Sequence, residues 1–410
     1  MTAPSQKICV IGLGYIGLPT ASVLATNGFK VCGVDKRREI TEALKSGRPL
    51  IDEPGLGTVV QAALKSGNLT VSRATEPADV FILCLPTPLE KNSKKADLSS
   101  VEEAAKSIVP CLKKGNLVIL ESTVAPGTTK GILLPILRAS KLPIPGDVMV
   151  AHCPERVLPG NILQELVAND RLIGGIDEKS ALAARNIYAR FVRGDIYLTD
   201  CTTAEVVKLT ENTYRDVNIA FANEMETICR RVGVNIWDVI RLANKHPRVN
   251  ILRPGPGVGG HCIAVDPWFL VQAAPEEARM IKLAREINDR KPQRVIGDIE
   301  SALAKIKKPK PVLLCLGATY KANVDDIRES PSIKIIEHFM KNRDLEILVV
   351  EPHGRHLNGR MPLVNLETGL KKADLIAVLV DHKEFQTVDW AAMAKHKGTG
   401  RLLDFKGLGG

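Results

Sequence analysis

Aromatic residues make up only 4% of the 410-residue chain, too few to line a base-stacking or sugar-stacking surface. No apolar run reaches the ~18 residues of a membrane span, so no membrane partner is expected. Only residues 1–7 precede the first apolar run; that leaves no room for a signal peptide, and a cytoplasmic location is expected. The nine cysteines, at 9, 32, 84, 111, 153, 201, 229, 262 and 315, include no Cys-x-x-Cys pair and read as reduced thiols. His261 adjoins Cys262, but no second Cys/His pair stands at ligand spacing, so no metal is expected. The formal charge is +10, yet the basic residues are dispersed, with Lys307-Lys308-Pro309-Lys310 the densest cluster. No nucleic-acid stripe results, although the excess suits the gathering of polyanionic small molecules such as nucleotide diphosphates.

What is present is ordinary for a soluble globular chain: 45% hydrophobic and 25% charged residues, over a length that calls for two or three domains. From Ile8, short apolar runs alternate with longer amphipathic stretches, the pattern of βαβ units around a parallel sheet. The runs cover residues 8–11, 31–34, 80–85, 117–120, 148–151 and 196–198. Thr202-Thr203-Ala204-Glu205 then reads as a capping box, and no Pro or Gly follows until Gly233, which predicts a long helix. Val206, Leu209, Thr213, Val217, Ala220 and Phe221 recur along it at near-helical spacing, and its other face is expected to pair with a second subunit. Further helices are expected over 236–244 and 276–307. Pro309-Lys310-Pro311 marks a boundary, and strands recur at 312–316, 346–350, 375–380 and 401–405. The expected fold class is α/β: two Rossmann-like, doubly wound domains (residues 1–199 and 309–410) joined by a long central helix and a helical dimerisation region (200–308). The two α/β parts are not close sequence repeats, so any symmetry between them is architectural.

The first strand enters Gly12-Leu13-Gly14-Tyr15-Ile16-Gly17, and Asp35 ends the next strand 18 residues beyond Gly17. Strand, glycines, helix and acid in this order form a dinucleotide-binding fingerprint. The glycines permit a tight turn and bring pyrophosphate close to a helix N-terminus, where unpaired N–H groups favour an anion. Asp35 would accept the ribose hydroxyls and repel a 2′-phosphate, which favours NAD; Lys36-Arg37-Arg38 argues the other way. Thr87 in Pro86-Thr87-Pro88, and Thr123 and Thr129 in the segment 122–129, follow strands on the same rim of the sheet. Their hydroxyls could position ribose, nicotinamide or water, and turn or N-cap duty explains them equally well.

Gly257-Val258-Gly259-Gly260-His261-Cys262-Ile263-Ala264-Val265-Asp266 sets one thiol in a nearly side-chain-free loop with a carboxylate four residues later. Glycines strip away steric cover, so a substrate carbon can reach the sulfur and an oxyanion can meet backbone N–H groups. A small buried hydrophobe in a tight loop is the plainer explanation of Cys262. On the long helix, Lys208, Asn212 and Arg215 fall at i, i+4 and i+7 and share one face, as a solvated stripe also would.

The segment 204–212, Pro154-Glu155-Arg156, the Gly-Gly-His-Cys loop, Tyr320-Lys321 and Arg328-Glu329-Ser330-Pro331 together resemble the nucleotide-sugar 6-dehydrogenases, the family of the UDP-glucose and GDP-mannose dehydrogenases. The resemblance covers nearly the whole chain in order. Segments 213–224, 246–252 and 254–268 look most like the branch acting on UDP-N-acetyl-D-mannosamine, with the UDP-N-acetylglucosamine branch its nearest competitor. Departures are few: the proline-rich loop 141–147 carries no family motif, and Ala318-Thr319-Tyr320 differs from the pair often seen before the lysine.

The resemblance implies an alcohol oxidised twice at C6, to aldehyde and to carboxylate, with two NAD consumed and no metal. A base, Asp266 or Lys208 through a water, would take the hydroxyl proton. Cys262 would add to the aldehyde to give a thiohemiacetal and then a thioester. Lys208 and Asn212 would stabilise the oxyanions, and water activated by Asp266, oriented by Thr123 and Glu155, would release the acid. The UDP-sugar partner would meet Arg156, Val157, Lys208, Asn212 and Arg215, then His246, Arg248 and Gly259, with Arg248 supplied by a neighbouring subunit. Tyr320, Lys321, Arg328 and Lys406 would complete the cleft. The product would be a precursor of an envelope or capsular polysaccharide. Two other readings stand beside this one: a catalytically silent dinucleotide-binding scaffold, and a single-step hydroxy-acid dehydrogenase of the 6-phosphogluconate type.

Overall fold

Ile8 and Val10 enter one apolar core and Cys9 and Ile11 another, so the first strand is covered on both faces and must read as an unbroken apolar run. In the computed structural model, which describes residues 6–51, 53–90, 93–354, 357, 359–397 and 401–408, the chain divides by compactness into two units. The first is Met1–Glu211 with Trp268–Pro275; the second is Asn212–Pro267 with Glu276–Gly410.

The first unit is built on β1 (Lys7–Ile11), β2 (Lys30–Val34), β3 (Leu69–Ser72), β4 (Val80–Leu83), β5 (Leu117–Leu120), β6 (Met149–His152), β7 (Arg171–Gly175) and β8 (Ile196–Asp200). They form one eight-stranded sheet in the order β3-β2-β1-β4-β5-β6-β7-β8. The 3-2-1-4-5-6 order is that of a dinucleotide-binding sheet, whose order reverses between β1 and β4 and whose ligands collect at the carboxyl ends there. The sheet is not parallel throughout, as the sequence suggested: β7 runs antiparallel to β6 and parallel to β8. Neither β3 nor β7 stands out in the sequence. β3 buries only Leu69 fully, and β7 opens on a charge and closes on two glycines. Cys9 and Cys32 lie opposite each other in register, both fully buried, as packing rather than reactive thiols.

Helix Cys201–Val232 follows β8 without interruption. Its N-terminus is fastened differently from the expected capping box on Thr202. Asp200 accepts the backbone N–H groups of Thr202 at 2.9 Å and Thr203 at 3.2 Å, and the Thr203 hydroxyl at 2.5 Å. Glu205 is thereby released to accept the backbone N–H of Gly127 (2.6 Å) and the N–H and hydroxyl of Thr129 (2.8 and 2.6 Å). An acid one turn into the helix pins the loop after β5 instead of closing its own cap.

The second unit carries β9 (Val312–Leu316), β10 (Glu346–Val350), β11 (Leu375–Val378) and β12 (Leu402–Asp404), all parallel in the order β10-β9-β11-β12. Leu313 and Cys315 face one core, shared with Val295 and Ile299 of helix Arg279–Leu303, and Leu314 and Leu316 face the other. Its first turn repeats that of the first sheet. Gly12 N donates to Val34 O at 2.8 Å and Leu13 N to the Asp35 carboxylate at 3.1 Å. Gly317 N donates to Val350 O at 2.9 Å and Ala318 N to the Glu351 carboxylate at 2.7 Å. Glu351, however, also meets the fully buried His382 ring at 3.1 Å. No helix among the described residues is long and apolar enough to cross a membrane.

A buried polar chain links the two long helices of this unit. Arg285 donates to Asp216 at 2.5 Å, Asn288 to the same carboxylate at 2.8 Å, Asn223 to Asn288 at 2.9 Å, and Gly255 N to Asn223 at 3.0 Å. Arg285 and Asp216 are both fully buried, so breaking the pair strands a charge. Arg285→Met is expected to lower the free energy of urea unfolding by about 3–5 kcal/mol. Adding Asp216→Asn should recover much of that, since no lone charge remains. An unchanged unfolding midpoint in the single variant would deny the pair a stabilising role.

Candidate active site

The glycines after β1 divide by what requires them. A Cβ on Gly12 would lie 2.3 Å from the Cys84 carbonyl oxygen and one on Gly17 1.8 Å from the Gly12 carbonyl oxygen, so the chain itself forbids side chains there. A Cβ on Gly14 would meet nothing within 4 Å. No neighbour in the chain demands that glycine; a backbone surface left bare for an incoming pyrophosphate does. Tyr15 and Ile16 complete the turn, and helix Gly17–Thr26 opens with no side-chain cap on its N-terminus, which leaves it free to meet an anion. The residues present therefore fit a dinucleotide.

Asp35 is 5% exposed. Burial opposes its ionisation, but the Arg37 guanidinium and the N–H groups of Arg37 and Leu13 outweigh burial and hold its carboxyl below the usual range. The Lys36-Arg37-Arg38 run is answered residue by residue: Lys36 by Glu103 at 2.7 Å, Arg37 by Asp35 at 3.0 Å, Arg38 by Glu42 at 2.5 Å. These are exposed pairs, which hold their cations only weakly; the preference for NAD rests on Asp35.

On the same rim, the Thr87 hydroxyl donates to the Thr123 carbonyl at 2.7 Å, which joins the loops after β4 and β5. Thr129 is fully buried, with its hydroxyl on Glu205. Glu155, just beyond β6, accepts the Arg156 N–H at 2.7 Å on one oxygen and is bound by Arg171 on the other. The Arg156 guanidinium forks onto Glu211 at 2.7 and 3.2 Å, so its charge is met within the chain; Val157 packs against the first core. Lys208 is 9% exposed and forms no ion pair among the described residues.

In the second unit, the Cys262 carbonyl accepts the N–H groups of Val265 (3.0 Å) and Asp266 (2.8 Å), a turn that leads into helix Asp266–Ala273. Of the nine cysteines, Cys262 alone is exposed. Asp266 is 3% exposed, and its carboxylate accepts the Asn212 amide at 2.5 Å. The glycine loop is pressed against the other motif segments. Gly260 N donates to the Arg328 carbonyl at 3.1 Å, and a Cβ on Gly259 would fall 2.8 Å from both Tyr320 Cβ and the Glu329 carbonyl oxygen. Lys406 pairs with Asp381 at 3.2 Å, and its Nζ lies 3.6 Å from where a Cβ on Gly255 would stand. Lys321 and Arg328 are exposed, Arg328 forked onto Asp326. Arg215, on the long helix, is exposed too, as are His246 and Arg248 in the turn after helix Ile236–Ala243.

Sequence reasoning passed over Glu121 and Arg171, a buried pair of charges behind Glu155. The signal was slight: Glu121 is the one charge closing the apolar run Leu117-Val118-Ile119-Leu120. It also passed over His353, His382 and Glu384, whose ligand atoms lie within 4.8 Å of one another. His382 Nδ1 accepts the Asn323 N–H at 3.0 Å, so Nε2 carries the proton and faces Glu351. Neither ring nitrogen of His382 offers a free lone pair.

The sequence matches the UDP-glucose/GDP-mannose dehydrogenase family in three successive pieces: its NAD binding domain over residues 6–192, its central domain over 202–290 and its UDP binding domain over 314–408. It is 50% identical over 395 residues to an NDP-N-acetyl-D-galactosaminuronic acid dehydrogenase of Ralstonia nicotianae, covering 94% of this chain and 92% of the relative. To a UDP-N-acetyl-D-mannosamine dehydrogenase of Methanococcus maripaludis it is 51% identical over 386 residues, covering 93% and 88%. The solved UDP-D-ManNAc dehydrogenase of Pyrococcus horikoshii superposes with a TM-score of 0.89 at 40% identity, over 98% of this chain and 96% of that one. Together with a fold and a glycine turn suited to a dinucleotide, these matches show that the chain belongs to the UDP-glucose/GDP-mannose dehydrogenase family and is an NAD-dependent nucleotide-sugar dehydrogenase.

Proposed function

We propose that this chain oxidises the C6 alcohol of UDP-N-acetyl-D-mannosamine to the uronic acid through a covalent adduct on Cys262, as a step toward an envelope or capsular polysaccharide. The observation that carries the reading is the turn that exposes the Cys262 thiol while tying its carbonyl to Asp266, whose carboxylate is oriented by Asn212. In this reading residues 1–199 hold NAD through Gly12, Gly14, Tyr15, Ile16, Gly17, Asp35 and Thr87, while Thr129, fully buried and spent on Glu205, braces the loop instead. Residues 200–308 carry the nucleophile and a dimer contact, and 309–410 hold UDP through Tyr320, Lys321, Arg328 and Lys406.

NAD, when bound, supplies the acceptor for the C6 hydride in each of the two oxidations. Asp266, or Lys208 through a water, takes the hydroxyl proton of the alcohol. The Cys262 thiol then adds to the aldehyde carbon; a C–S bond forms and the carbonyl oxygen becomes a hydroxyl, so the C6 hydrogen can again leave as hydride while that oxygen loses its proton and re-forms the carbonyl. Lys208 and the second N–H of Asn212 stabilise the oxyanion at each tetrahedral stage, worth roughly 3 kcal/mol per donor. After the second oxidation the carbon is a thioester. Water activated by Asp266 and oriented by Thr123 and Glu155 cleaves the C–S bond and returns the thiol. Arg156, Val157, Arg215, His246 and Gly259 surround the sugar and diphosphate. Lys208 supports this assignment, as a nearly buried ammonium without an ion pair among the described residues.

Arg248 is exposed, and Tyr214, Phe221 and Ile228 expose 68%, 49% and 45% of their surface at seven-residue intervals along the long helix. A stripe of large apolar groups is what a second copy would cover. The C2 and C4 stereochemistry of the sugar is tested by measuring NADH yield from UDP-N-acetyl-D-mannosamine, -glucosamine and -galactosamine, alongside the sedimentation mass of the enzyme. Two NADH per molecule with the mannosamine epimer and a dimeric mass are expected. Preference for the galactosamine epimer would instead follow the Ralstonia relative.

Cys262→Ser should still form trappable aldehyde while losing acid production; full turnover by this variant would remove covalent catalysis. Asp35→Ala frees Arg37 and removes the charge that repels a 2′-phosphate. The ratio of kcat/KM for NADP to that for NAD should rise by about tenfold or more, the scale of one charge contact worth ~1.4 kcal/mol. A ratio that stays put would show that cofactor choice lies elsewhere.

A further inference from the structure

Behind Glu155 lies a cluster of ionisable groups that the proposed chemistry does not use. Arg171, 4% exposed, grips a Glu155 oxygen with one guanidinium nitrogen and reaches Glu121 at 3.4 Å with the other. Its plane is fixed by the Tyr188 ring, whose centroid lies 4.3 Å from Cζ, and by Cys153 Sγ at 3.6 Å. Glu121, 2% exposed, is held in turn by the Tyr188 hydroxyl at 2.6 Å, Cys84 Sγ at 3.1 Å and the Thr20 hydroxyl at 3.4 Å. Glu155, at 9%, is the most exposed of the three charges.

We propose that Arg171 is a positioning residue for the hydrolytic half-reaction: it fixes the direction of the Glu155 carboxylate, and Glu121 with Tyr188 fixes Arg171. The inference rests on the reading of Glu155 as an orienter of the hydrolytic water. A buried ion pair gives little net stability over an apolar isostere, and neutralising one guanidinium takes one carboxylate, not two. The second carboxylate has a different effect. Burial pushes the Glu121 carboxyl up, Arg171 draws it down and Glu155 adds to the rise, and the balance lies above the usual carboxylate range. A Glu121 inclined to keep its proton leaves the Arg171 charge to Glu155, while its oxygens still brace the guanidinium. On the loop side, the neighbouring cation Arg156 is occupied by Glu211, so Arg171 is the cation bound to this acid.

The experiment compares wild type with Arg171→Lys, Arg171→Met, Arg171→Met/Glu121→Gln and Glu155→Gln, using the UDP-N-acetylhexosamine that the wild type turns over fastest. Steady-state kinetics are read together with intact mass during turnover. The Arg171 variants should lose kcat by roughly ten- to a hundredfold, the scale of a misplaced catalytic group, with the KM for NAD unchanged and an acyl adduct accumulating on Cys262. The Lys variant, which keeps the charge without the fork, should lose less than the Met variant. If Arg171→Met does not fold, the double variant, which buries one carboxylate fewer, and the Lys variant give the same readouts. Folded Arg171 variants with wild-type kcat and no adduct, beside an impaired Glu155→Gln, would make Arg171 merely structural and leave the role of Glu155 intact. Wild-type turnover by Glu155→Gln would overturn the reading of Glu155 and this inference with it.

Discussion

The glycine loop that bears Cys262 has almost no side chains with which to hold itself, and its placement depends on the hydrogen bond from Gly255 N to Asn223. Behind that bond stands the buried relay of Asn288, Asp216 and Arg285, which turns two packed helices into an anchor for a segment of minimal bulk. Further along, the Gly260 N–H meets the Arg328 carbonyl and the Asp266 N–H meets that of Cys262. The loop is thus fixed by its backbone, and its glycines stay available for close approach. An exposed cysteine in such a loop is placed by the backbone on either side of it.

Electrostatics follow a consistent rule. The net charge of +10 suggests an unfocused positive surface, yet the cations nearest the motifs are matched singly: Arg37 by Asp35, Arg156 by Glu211, Arg328 by Asp326, Lys406 by Asp381. Exposed pairs of this kind contribute little to stability. Lys208 differs from them: it is nearly buried and forms no ion pair among the described residues.

Much of this was legible in the sequence because each feature has a local cause. A strand covered on both faces must be apolar throughout, so β1, β2, β4 and β5 showed themselves, and the turn at Gly12 announced its use through spacing alone. β3 and β7 did not, since a single buried leucine in one and a charge with paired glycines in the other lack a strand's periodicity. The helix start was misjudged by two residues because Asp200 and Thr202 are both good caps, and only the tertiary partner of Glu205 decides between them. Glu121 and Arg171 stayed hidden for a related reason: they lie fifty residues apart, and a buried pair leaves no mark on local pattern. The thiol, its carboxylate and the polar face of the long helix were all visible as types and spacings. What spacing could not say was that Arg156 and Thr129 direct their polar groups toward the protein itself.

The doubled turn of the two sheets leaves their acids differently engaged. Each sheet ends its second strand on an acid that receives an N–H from the first turn, as a ribose acceptor should. In the first sheet the other group on that acid is Arg37, whose side chain is 54% exposed and can yield to a sugar hydroxyl; in the second it is the fully enclosed ring of His382. The same architecture thus offers an incoming hydroxyl an acid held by a displaceable guanidinium in one sheet and an acid held by a buried imidazole in the other.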